Sequence, residues 1–392
     1  MRLMFIQTGD VREAYDLRAS GAPETRSQQW YSVDYFFSLK PRVSALAALC
    51  LKPEVSYRDT RDGVDLFGIR TDWRDPGPIL EQVRAWKPTH VVLRTPFPAL
   101  VAEFQKSGIA FLPMLADSFP TSGLSPNQIR GRFRARRLAH SLNHNTLPVV
   151  ANHNVASCKN LVEMGVHPEK ILPWEWPLAD RPERPAKAFS ASEKLRVSYV
   201  GAIIETKGVF DLVNAFCKSD LLKQRAHLTI AGKGETQRLS RLIDSCGLVS
   251  IVDYRGLISV DEVKRLNQES HISCVLSHHR YPEGLPKTLR EGLIAGTPLL
   301  VSDHPIFSAL LLDGEGTRMV PERSPEAIAS VLENIVRHPT LYRRLSGSTG
   351  AAYDRLRWDV LWHEVIDHWL VSDWEWFSRH RDRWLQRLSE AH

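Results

Sequence analysis

The chain has 392 residues, a length that favours two domains over one. Hydrophobic residues make up 43% and charged residues 24%, an ordinary globular composition that excludes extended disorder. The formal charge of +6 suits anionic partners such as phosphates or acidic lipid headgroups, but it is too small to indicate nucleic acid.

The amino terminus, MRLMFIQTGD, is a short apolar run that predicts a first β-strand. It lacks the longer apolar region and the cleavage site of a signal peptide. No other stretch approaches the ~18 apolar residues that a membrane-spanning helix requires. We therefore expect a cytoplasmic protein.

The five cysteines are scattered along the chain and form no C-x-x-C pair. This pattern predicts buried thiols in a reducing compartment rather than a disulfide or zinc framework. The residues concerned are Cys50, Cys158, Cys217, Cys246 and Cys274.

Short apolar runs alternate with helical stretches in both halves of the chain. In the first half the predicted strands are 2–8, 63–69, 89–96, 108–115 and 147–153. In the second half they are 196–201, 226–231, 250–256, 271–277 and 297–302. Continuous apolar strands separated by helices are typical of parallel sheets covered on both faces, so the pattern predicts two doubly wound α/β domains.

The segment 177–194 is rich in Pro, Ala and charge and poor in bulky apolar residues, which is typical of a linker. The predicted organisation is an amino-terminal domain over 1–176, this linker, a second domain over 195–350, and a tail over 351–392. In such sheets ligands bind beyond the carboxyl ends of the strands, so the strand-end loops are the candidate sites.

The tail contains six of the eleven tryptophans. Trp358, Trp362 and Trp369 recur at helical spacing, which predicts a long helix packed across both domains. A role of the later tryptophans at a membrane interface is the alternative.

The stretch HHRYPEGLPKTLREGLIAGTP (278–298) follows a predicted buried strand. Pro286 fits the first turn of the next helix, and the backbone amides of Gly284 and Leu285 would form an anion site at its amino terminus. Glu283 would stand at the mouth of this helix and Glu291 about one and a half turns inside it. A sugar nucleotide suits this combination, since it offers phosphates to the amides and hydroxyls to the carboxylates.

The E-x7-E spacing of Glu283 and Glu291, followed by AGTPLLVSD, resembles the donor site of retaining nucleotide-sugar glycosyltransferases with the GT-B fold, of the family-four type. Further segments resemble the family in the expected order: YVGAIIETKGVFDLVNAF, LTIAGKGE, YRGLISVDEVKRL and DGEGTRMVPERSPEAIASVL. The resemblance covers most of 195–350, and 149–177 resembles the segment that leads into the linker.

The resemblance implies two Rossmann-like domains facing a central cleft, with a carboxy-terminal helix that crosses back to the first domain. Residues 1–176 would bind the acceptor and 195–350 the nucleotide-sugar donor. The implied activity is transfer of a hexose from a UDP or GDP sugar to a lipid-linked or growing glycan with retention, in bacterial polysaccharide biosynthesis.

The resemblance also implies roles for single residues. Glu283 would face the donor sugar, Glu291 would hydrogen-bond the ribose, and Lys207 would neutralise the leaving diphosphate. The implied donor-binding set is Gly201, Lys207, Lys233, Arg255, Gly284, Leu285, Pro286, Lys287 and Glu291.

One position departs from the family pattern, because Ala202 stands where the family usually has an arginine. We expect Lys233 to supply the missing cation, although a solvated loop lysine explains it equally well. Lys287 and Arg290 are further candidates.

The chain has no D-x-D motif and no His/Cys cluster at ligand spacing. We therefore expect a metal-independent mechanism without a cofactor, in which lysine and the helix dipole replace a metal ion. His278 and His279 would line the donor pocket or be exposed.

Candidates in the first half are fewer. Asp117, at a strand end, would assist acceptor binding or activation; an N-cap or turn role is the alternative. His153 is a weaker candidate, since a histidine at the end of a strand is more often solvated.

A basic stretch, IRGRFRARRLAH (129–140), carries five arginines: Arg130, Arg132, Arg134, Arg136 and Arg137. No acidic residue occurs between Ile129 and Cys158, whereas a merely solubilising helix face normally mixes signs. The stretch therefore predicts adhesion to the acidic inner face of the cell membrane or capture of a lipid-diphosphate acceptor. A solvated helix face is the alternative.

Two other functions fit the same fold. A sugar-nucleotide 2-epimerase would need neither an acceptor nor a basic surface. A non-catalytic subunit that binds nucleotide sugars would be consistent with Ala202.

Overall fold

The computed structural model describes residues 1–24, 28–51, 55–71, 75–94, 98–121, 126–177, 186–190, 192–281 and 283–389. The chain divides into two compact units. Unit 1 consists of Met1–Glu24, Gln28–Leu178 and Trp358–His392, and unit 2 of Ala179–Arg357 with Thr25–Ser27.

Fourteen strands occur in the described residues. They are β1 (Arg2–Gln7), β2 (Ala45–Cys50), β3 (Tyr57–Arg61), β4 (Val64–Gly68), β5 (His90–Leu93), β6 (Ala110–Leu115), β7 (Val150–His153), β8 (Ile171–Trp174), β9 (Leu195–Val200), β10 (Ala226–Ala231), β11 (Val252–Tyr254), β12 (Ile272–Val275), β13 (Leu299–Ser302) and β14 (Thr317–Val320).

The α-helices of the described residues are α1 (Val11–Ala19), α2 (Gln29–Ser38), α3 (Gly77–Trp86), α4 (Pro98–Ser107), α5 (Pro126–Leu142), α6 (Val155–Met164), α7 (Val209–Lys218), α8 (Asp220–Arg225), α9 (Thr236–Ser245), α10 (Val260–Glu269), α11 (Lys287–Ile294), α12 (Pro305–Ser308), α13 (Pro325–Arg337), α14 (Pro339–Gly347), α15 (Thr349–Leu356), α16 (Trp362–Leu370) and α17 (Trp374–Ser389). Single 3-10 turns lie at Lys40–Arg42, Pro168–Lys170 and Glu205–Lys207.

Unit 1 contains an eight-stranded sheet in the order β3-β4-β2-β1-β5-β6-β7-β8. Its pairs are parallel except β3 with β4, which is antiparallel at the edge. The five strands predicted in this half correspond to β1, β4, β5, β6 and β7. The sequence did not predict β2, β3 and β8, since β2 is alanine-rich, β3 (YRDTR) is polar, and β8 contains a proline.

Unit 2 contains a six-stranded sheet in the order β11-β10-β9-β12-β13-β14. All of its pairs are parallel. The sheet core is built from apolar strands: Val197, Leu228 and Leu300 are buried between the helices on both faces. The five predicted strands are present, and only β14 (TRMV), which is half polar, was not predicted.

The prediction of one long tryptophan-rich helix is wrong. Helix α15 ends at Leu356, α16 begins at Trp362, and Trp358 lies between them. The chain leaves the helix because residues 358–361 extend towards Glu175, whose backbone N–H donates to Val360 O at 2.8 Å. Five of the six tail tryptophans are buried, and only Trp374 is exposed.

The prediction that all cysteines are free thiols is also wrong. Cys217, in the last turn of α7, and Cys246, which follows α9, form a disulfide with their Cα atoms 5.2 Å apart. The two helices pack against each other and bring together residues that are 29 positions apart in sequence. The remaining cysteines, Cys50, Cys158 and Cys274, are buried and free.

Candidate functional site

The candidate site lies where neighbouring strands of unit 2 end. The strand order places β10, β9 and β12 side by side, with sequence order reversing between β9 and β12. Such a reversal in a doubly wound sheet leaves a crevice beyond the carboxyl ends of the strands. The loop after β9 carries Lys207, and the loop after β12 carries Glu283.

Lys207 and Glu283 form an ion pair between Lys207 Nζ and Glu283 Oε1. Only 16% of the lysine side chain and 6% of the glutamate side chain are exposed. Ser277 Oγ donates a second hydrogen bond to the same carboxylate oxygen. Lys207 Nζ also lies 4.2 Å from the centroid of the Tyr281 ring, a cation–π contact.

Gly208 explains why the Lys207 turn reaches this position. Its φ of +71° is left-handed, and a Cβ atom built on it would lie 2.1 Å from Leu276 O. Only glycine therefore lets the turn pack directly on the end of β12. The His278 N–H also donates to Thr206 O at 2.9 Å, which joins the two loops through their backbones.

The loop after β10 is joined to the loop after β9 in a similar way. Ile203 N donates to Lys233 O at 2.9 Å, and Glu235 N donates to Ile203 O at 2.7 Å. Gly232, with φ of +146°, approaches so closely that a Cβ atom would lie 1.8 Å from Gly201 O. The backbone of the AGKGE segment is therefore fixed beside the Lys207 loop.

Helix α11 begins at Lys287, and Pro286 is its N-cap residue, one position before the predicted first turn. Gly284 and Leu285 lie immediately before it, as expected. Glu291 lies in the second turn and is half-buried. Burial raises the pKa of the Glu291 carboxyl, against the opposing effect of Lys287 and Arg290.

Three histidines follow the neighbouring strands β12 and β13. His278 is buried, and its Nε2 atom lies 2.7 Å from Asp211 Oδ2 on α7. Its Nδ1 atom has no hydrogen-bond partner in the described part of the chain. His279 Nε2 lies 2.8 Å from Asp303 Oδ1, and His304 Nε2 lies 3.1 Å from Tyr281 O. Within the described ranges, no group of three or more His, Cys, Asp or Glu residues could hold a metal ion.

Other residues of the predicted donor-binding set have different surroundings. Lys233 is exposed, and its side chain has no hydrogen bond or ion pair among the described residues. Arg255 is exposed and pairs with Asp253 at 2.8 Å. Gly201 is half-buried at the end of β9, and Arg290 is buried in α11.

The amino-terminal candidates lie at strand ends of unit 1. Asp117 follows β6 with an exposed side chain, and its carbonyl oxygen accepts a 3.0 Å hydrogen bond from Asn152 Nδ2. His153 is buried rather than solvated, which corrects the sequence interpretation. Its Nε2 atom lies 2.6 Å from Glu175 Oε1, whose residue follows β8 and is fully buried.

The basic stretch is helical, as predicted, and forms part of α5. Arg130, Arg134, Arg136 and Arg137 are exposed, whereas Arg132 is half-buried. Phe133 is 70% exposed among them, and Leu138 faces the core. Phe133, Arg136 and Arg137 line an open hollow of about 380 Å³ with His140 and Ser141.

Comparison with known proteins identifies the carboxy-terminal part of the chain. Residues 180–349 match the family described as glycosyl transferases group 1. The resemblance predicted from the sequence is thereby confirmed for this segment.

Curated relatives agree over part of their length. A phosphatidyl-myo-inositol mannosyltransferase of Mycobacterium leprae is 27% identical over 36% of this chain and 36% of that protein. The amylovoran biosynthesis glycosyltransferase AmsK of Erwinia amylovora is 28% identical over 44% of this chain and 40% of that protein. The chain thus matches less than half the length of these two relatives.

Solved structures match almost the whole chain. The sucrose-phosphate synthase of Thermosynechococcus elongatus has a TM-score of 0.66 at 15% identity, covering 95% of this chain and 99% of that one. Anabaena HepE in complex with UDP has a TM-score of 0.63 at 13% identity, covering 95% and 100%. The chain has the GT-B fold.

In this GT-B chain the structure brings together Lys207 and Glu283, which the sequence analysis named. It places Ser277 and Tyr281 beside them and pairs Asp211 with His278, contacts that the sequence analysis did not name. Asp211 lies 67 residues from His278 and carried no recognisable signal. Ser277 and Tyr281 lie within six residues of Glu283 in the sequence. Their proximity to its carboxylate could therefore have been predicted from spacing alone.

The site combines groups with opposite chemical uses. Lys207 and the amides before α11 attract anionic oxygens, whereas Glu283 accepts hydrogen bonds from hydroxyl groups. A ligand that presents both an anion and hydroxyls can replace the Lys207–Glu283 contact on both sides. No helix of the described residues is long and apolar enough to cross a membrane.

Proposed function

We propose that this protein is a retaining, metal-independent glycosyltransferase. It transfers a hexose from a UDP or GDP sugar to a lipid-linked or growing glycan in bacterial polysaccharide biosynthesis. The observation that carries the proposal is the buried Lys207–Glu283 ion pair at the point where strand order reverses in unit 2. The family match over residues 180–349 supports the same activity.

In the proposed reaction the donor separates the ion pair. The diphosphate binds Lys207. The hexose hydroxyls donate hydrogen bonds to the Glu283 carboxylate, which also accepts one from Ser277. Negative charge grows on the diphosphate as the anomeric bond breaks, so Lys207 stabilises the transition state more than the ground state. Glu283 stabilises the positive charge that develops on the sugar ring.

Secondary contacts hold the nucleotide. Glu291 accepts a hydrogen bond from the ribose, which offsets the cost of burying its charge. Gly284, Leu285 and Pro286 bring the start of α11 against the sugar or the diphosphate. Lys233 supplies the second diphosphate cation, because this chain has Ala202 where the family usually has an arginine. The Lys233 side chain is exposed and makes no hydrogen bond or ion pair among the described residues.

Unit 1 is proposed to bind the acceptor, with Asp117 assisting its binding or activation. The exposed arginines of α5 and the exposed Phe133 would contact an acidic membrane surface on the cytoplasmic side, where a lipid-linked acceptor would be presented. One curated relative is a phosphatidyl-myo-inositol mannosyltransferase, which supports a lipid-associated acceptor. HepE was solved with UDP, which supports a nucleotide donor.

A thermal-shift screen against UDP-, GDP- and dTDP-hexoses tests the proposal. A tight ligand raises the melting temperature by mass action, so one nucleotide class should stabilise the protein more than the others. The stabilising donor is then incubated with membrane extracts as the acceptor source. Glu283→Gln should still be stabilised by that donor but transfer sugar roughly 10²–10³-fold more slowly than the wild type.

The same experiment separates the alternatives. Release of an epimerised sugar nucleotide without any acceptor would identify a 2-epimerase. Stabilisation by a donor with no turnover under any condition would identify a binding subunit. A lack of stabilisation by every nucleotide sugar would contradict the proposed function.

A further inference from the structure

Arg94 directly follows β5 in unit 1 and lies against two tryptophans. Its backbone N–H donates to Ile6 O at 2.9 Å, which fixes the residue at the strand end. The guanidinium carbon lies 5.5 Å from the centroid of the Trp176 ring and 5.6 Å from that of Trp362. Both tryptophans are buried, so the guanidinium is held by rigid aromatic walls.

Arg94 is half-buried and has no counter-ion among the described residues. In the described part of the chain its side chain makes no hydrogen bond and no ion pair within 4.0 Å. Three other arginines of unit 1 have a carboxylate partner: Arg18 with Asp34 at 2.8 Å, Arg61 with Asp16 at 2.9 Å, and Arg84 with Glu103. A half-buried charge is still unfavourable when unpaired, so stability alone does not explain an arginine at this position.

The acidic groups nearby do not neutralise it. Asp117 acts on Arg94 only through space, and burial still lowers the pKa of the Arg94 guanidinium to about 10. Glu175 is engaged elsewhere, since its Oε1 atom lies 2.6 Å from His153 Nε2 and accepts from Trp176 N–H at 3.0 Å. A half-buried positive charge therefore remains without a direct partner among the described residues.

The position of Arg94 is one where ligands bind. Strands β5, β6, β7 and β8 are neighbours in the sheet, and their carboxyl ends present Arg94, Asp117, His153 and Glu175 along one edge. Ligands of parallel α/β sheets bind beyond this edge.

We propose that Arg94 is the anchor of an anion-binding site in unit 1 that takes a phosphate or carboxylate group of the acceptor. The planar guanidinium offers paired N–H donors that match two oxygens of either group. Trp176 and Trp362 fix its plane and exclude water, which strengthens the ion pair formed on binding. The assignment of the bound anion to the acceptor rests on the proposed function, whereas the anion site itself does not.

Calorimetric titration of the full chain with inorganic phosphate, glucuronate and glucose tests this site. Each probe is titrated into the wild type, Arg94→Met, Arg94→Lys and the control Arg84→Met, which removes an arginine of the same unit that already has a partner. The series is repeated in a Lys207→Met background, which removes the proposed anion contact of unit 2.

We expect at least one anion to bind the wild type and to lose about tenfold or more in affinity in Arg94→Met, as expected for a charge-assisted bidentate contact. Arg94→Lys should recover part of the affinity, and Arg84→Met should match the wild type. The loss should persist in the Lys207→Met background. Stronger binding of phosphate would indicate a phosphorylated acceptor, and stronger binding of glucuronate an acidic sugar.

The melting temperature separates a binding role from a structural one. Because Arg94 has no counter-ion among the residues that the structure describes, Arg94→Met should melt at the same temperature as the wild type or higher. Equal anion affinity in the wild type and Arg94→Met, or no anion binding to the wild type, would overturn the site. UDP titration of the same samples reports on the proposed function separately, since it depends on unit 2.

Discussion

Lys207 in unit 2 and Arg94 in unit 1 are both cations that follow a strand and contact aromatic rings, but they differ in charge balance. Lys207 has Tyr281 at 4.2 Å and Glu283 in direct contact. Arg94 has two tryptophans and no carboxylate in contact among the described residues. One site carries its own counter-ion, and the other needs an anion from outside.

This difference predicts different responses to ligands and to mutation. A donor entering the Lys207 site exchanges one set of partners for another, so much of its binding free energy replaces an existing contact. An anion entering the Arg94 site supplies a partner that is missing. Removing Lys207 should therefore lower stability, whereas removing Arg94 should leave it unchanged or raise it.

The largest expected effect is on turnover. Glu283→Gln keeps the size of the side chain but removes the charge that would stabilise the developing positive charge on the sugar. We expect kcat to fall roughly 10²–10³-fold, the usual cost of losing one electrostatic contact to the transition state. The Kd for UDP should change only a few-fold, as measured by calorimetry.

The control for this variant is Glu326→Gln. Glu326 pairs with Lys218 on the surface of the same unit, and its side chain is 67% exposed. Its loss should leave kcat at the wild-type value. Full activity of Glu283→Gln would remove Glu283 from the mechanism.

The next effect is on stability. Lys207→Met leaves the Glu283 carboxylate buried without its cation, so the free energy of unfolding should fall by about 3 kcal/mol. The double variant Lys207→Met/Glu283→Gln should regain most of that loss. Urea unfolding measures both values. Equal destabilisation by Lys207→Met and Arg94→Met would abolish the contrast between the two sites.

The Glu291 carboxyl should make the free energy of unfolding depend on pH. Burial raises its pKa in the folded chain, so ionisation lowers the free energy of unfolding as pH rises past the unfolded pKa of ~4.3. Glu291→Gln should therefore be more stable than the wild type at pH 7.

The difference should shrink as the pH falls through the unfolded pKa of ~4.3, because the wild-type carboxyl then becomes protonated in both states. Melting curves between pH 4 and 8 measure it. Glu326→Gln should show no such gain at pH 7, and a gain for Glu291→Gln that is independent of pH would exclude ionisation as its cause.

The smallest expected effect concerns Lys233. If it replaces the arginine missing at Ala202, Lys233→Ala should weaken UDP binding a few-fold, since an exposed lysine contributes about 1 kcal/mol or less. Lys264→Ala, which removes an exposed lysine from α10, should leave UDP binding unchanged. Unchanged UDP affinity in Lys233→Ala would show that Lys233 does not replace the arginine missing at Ala202.

The sequence predicted those features that depend on local pattern. Apolar runs predicted most of the parallel strands, and Pro286 predicted the start of α11 to within one residue. The family resemblance, rather than the residues alone, indicated that Lys207 and Glu283 work together.

Contacts between distant segments could not be predicted. Arg94 meets Trp176 and Trp362 only because β5 and the start of α16 pack in the same unit, and no local pattern encodes that meeting. The same holds for the Cys217–Cys246 disulfide, which depends on how α7 packs against α9. Trp358 fits a helical spacing, yet the hydrogen bonds between Glu175 and residues 360–362 outweigh it.

Calorimetric titration of the full chain with UDP and with GDP tests the proposed donor site most directly. We expect one of the two nucleotides to bind, and Lys207→Met to weaken that binding by about tenfold, the value of one charge-assisted contact of ~1.4 kcal/mol. Lys218→Met, which removes a surface lysine of the same unit, should bind as the wild type does. Failure of both nucleotides to bind, or equal binding by Lys207→Met and the wild type, would contradict a donor site built on Lys207 and Glu283.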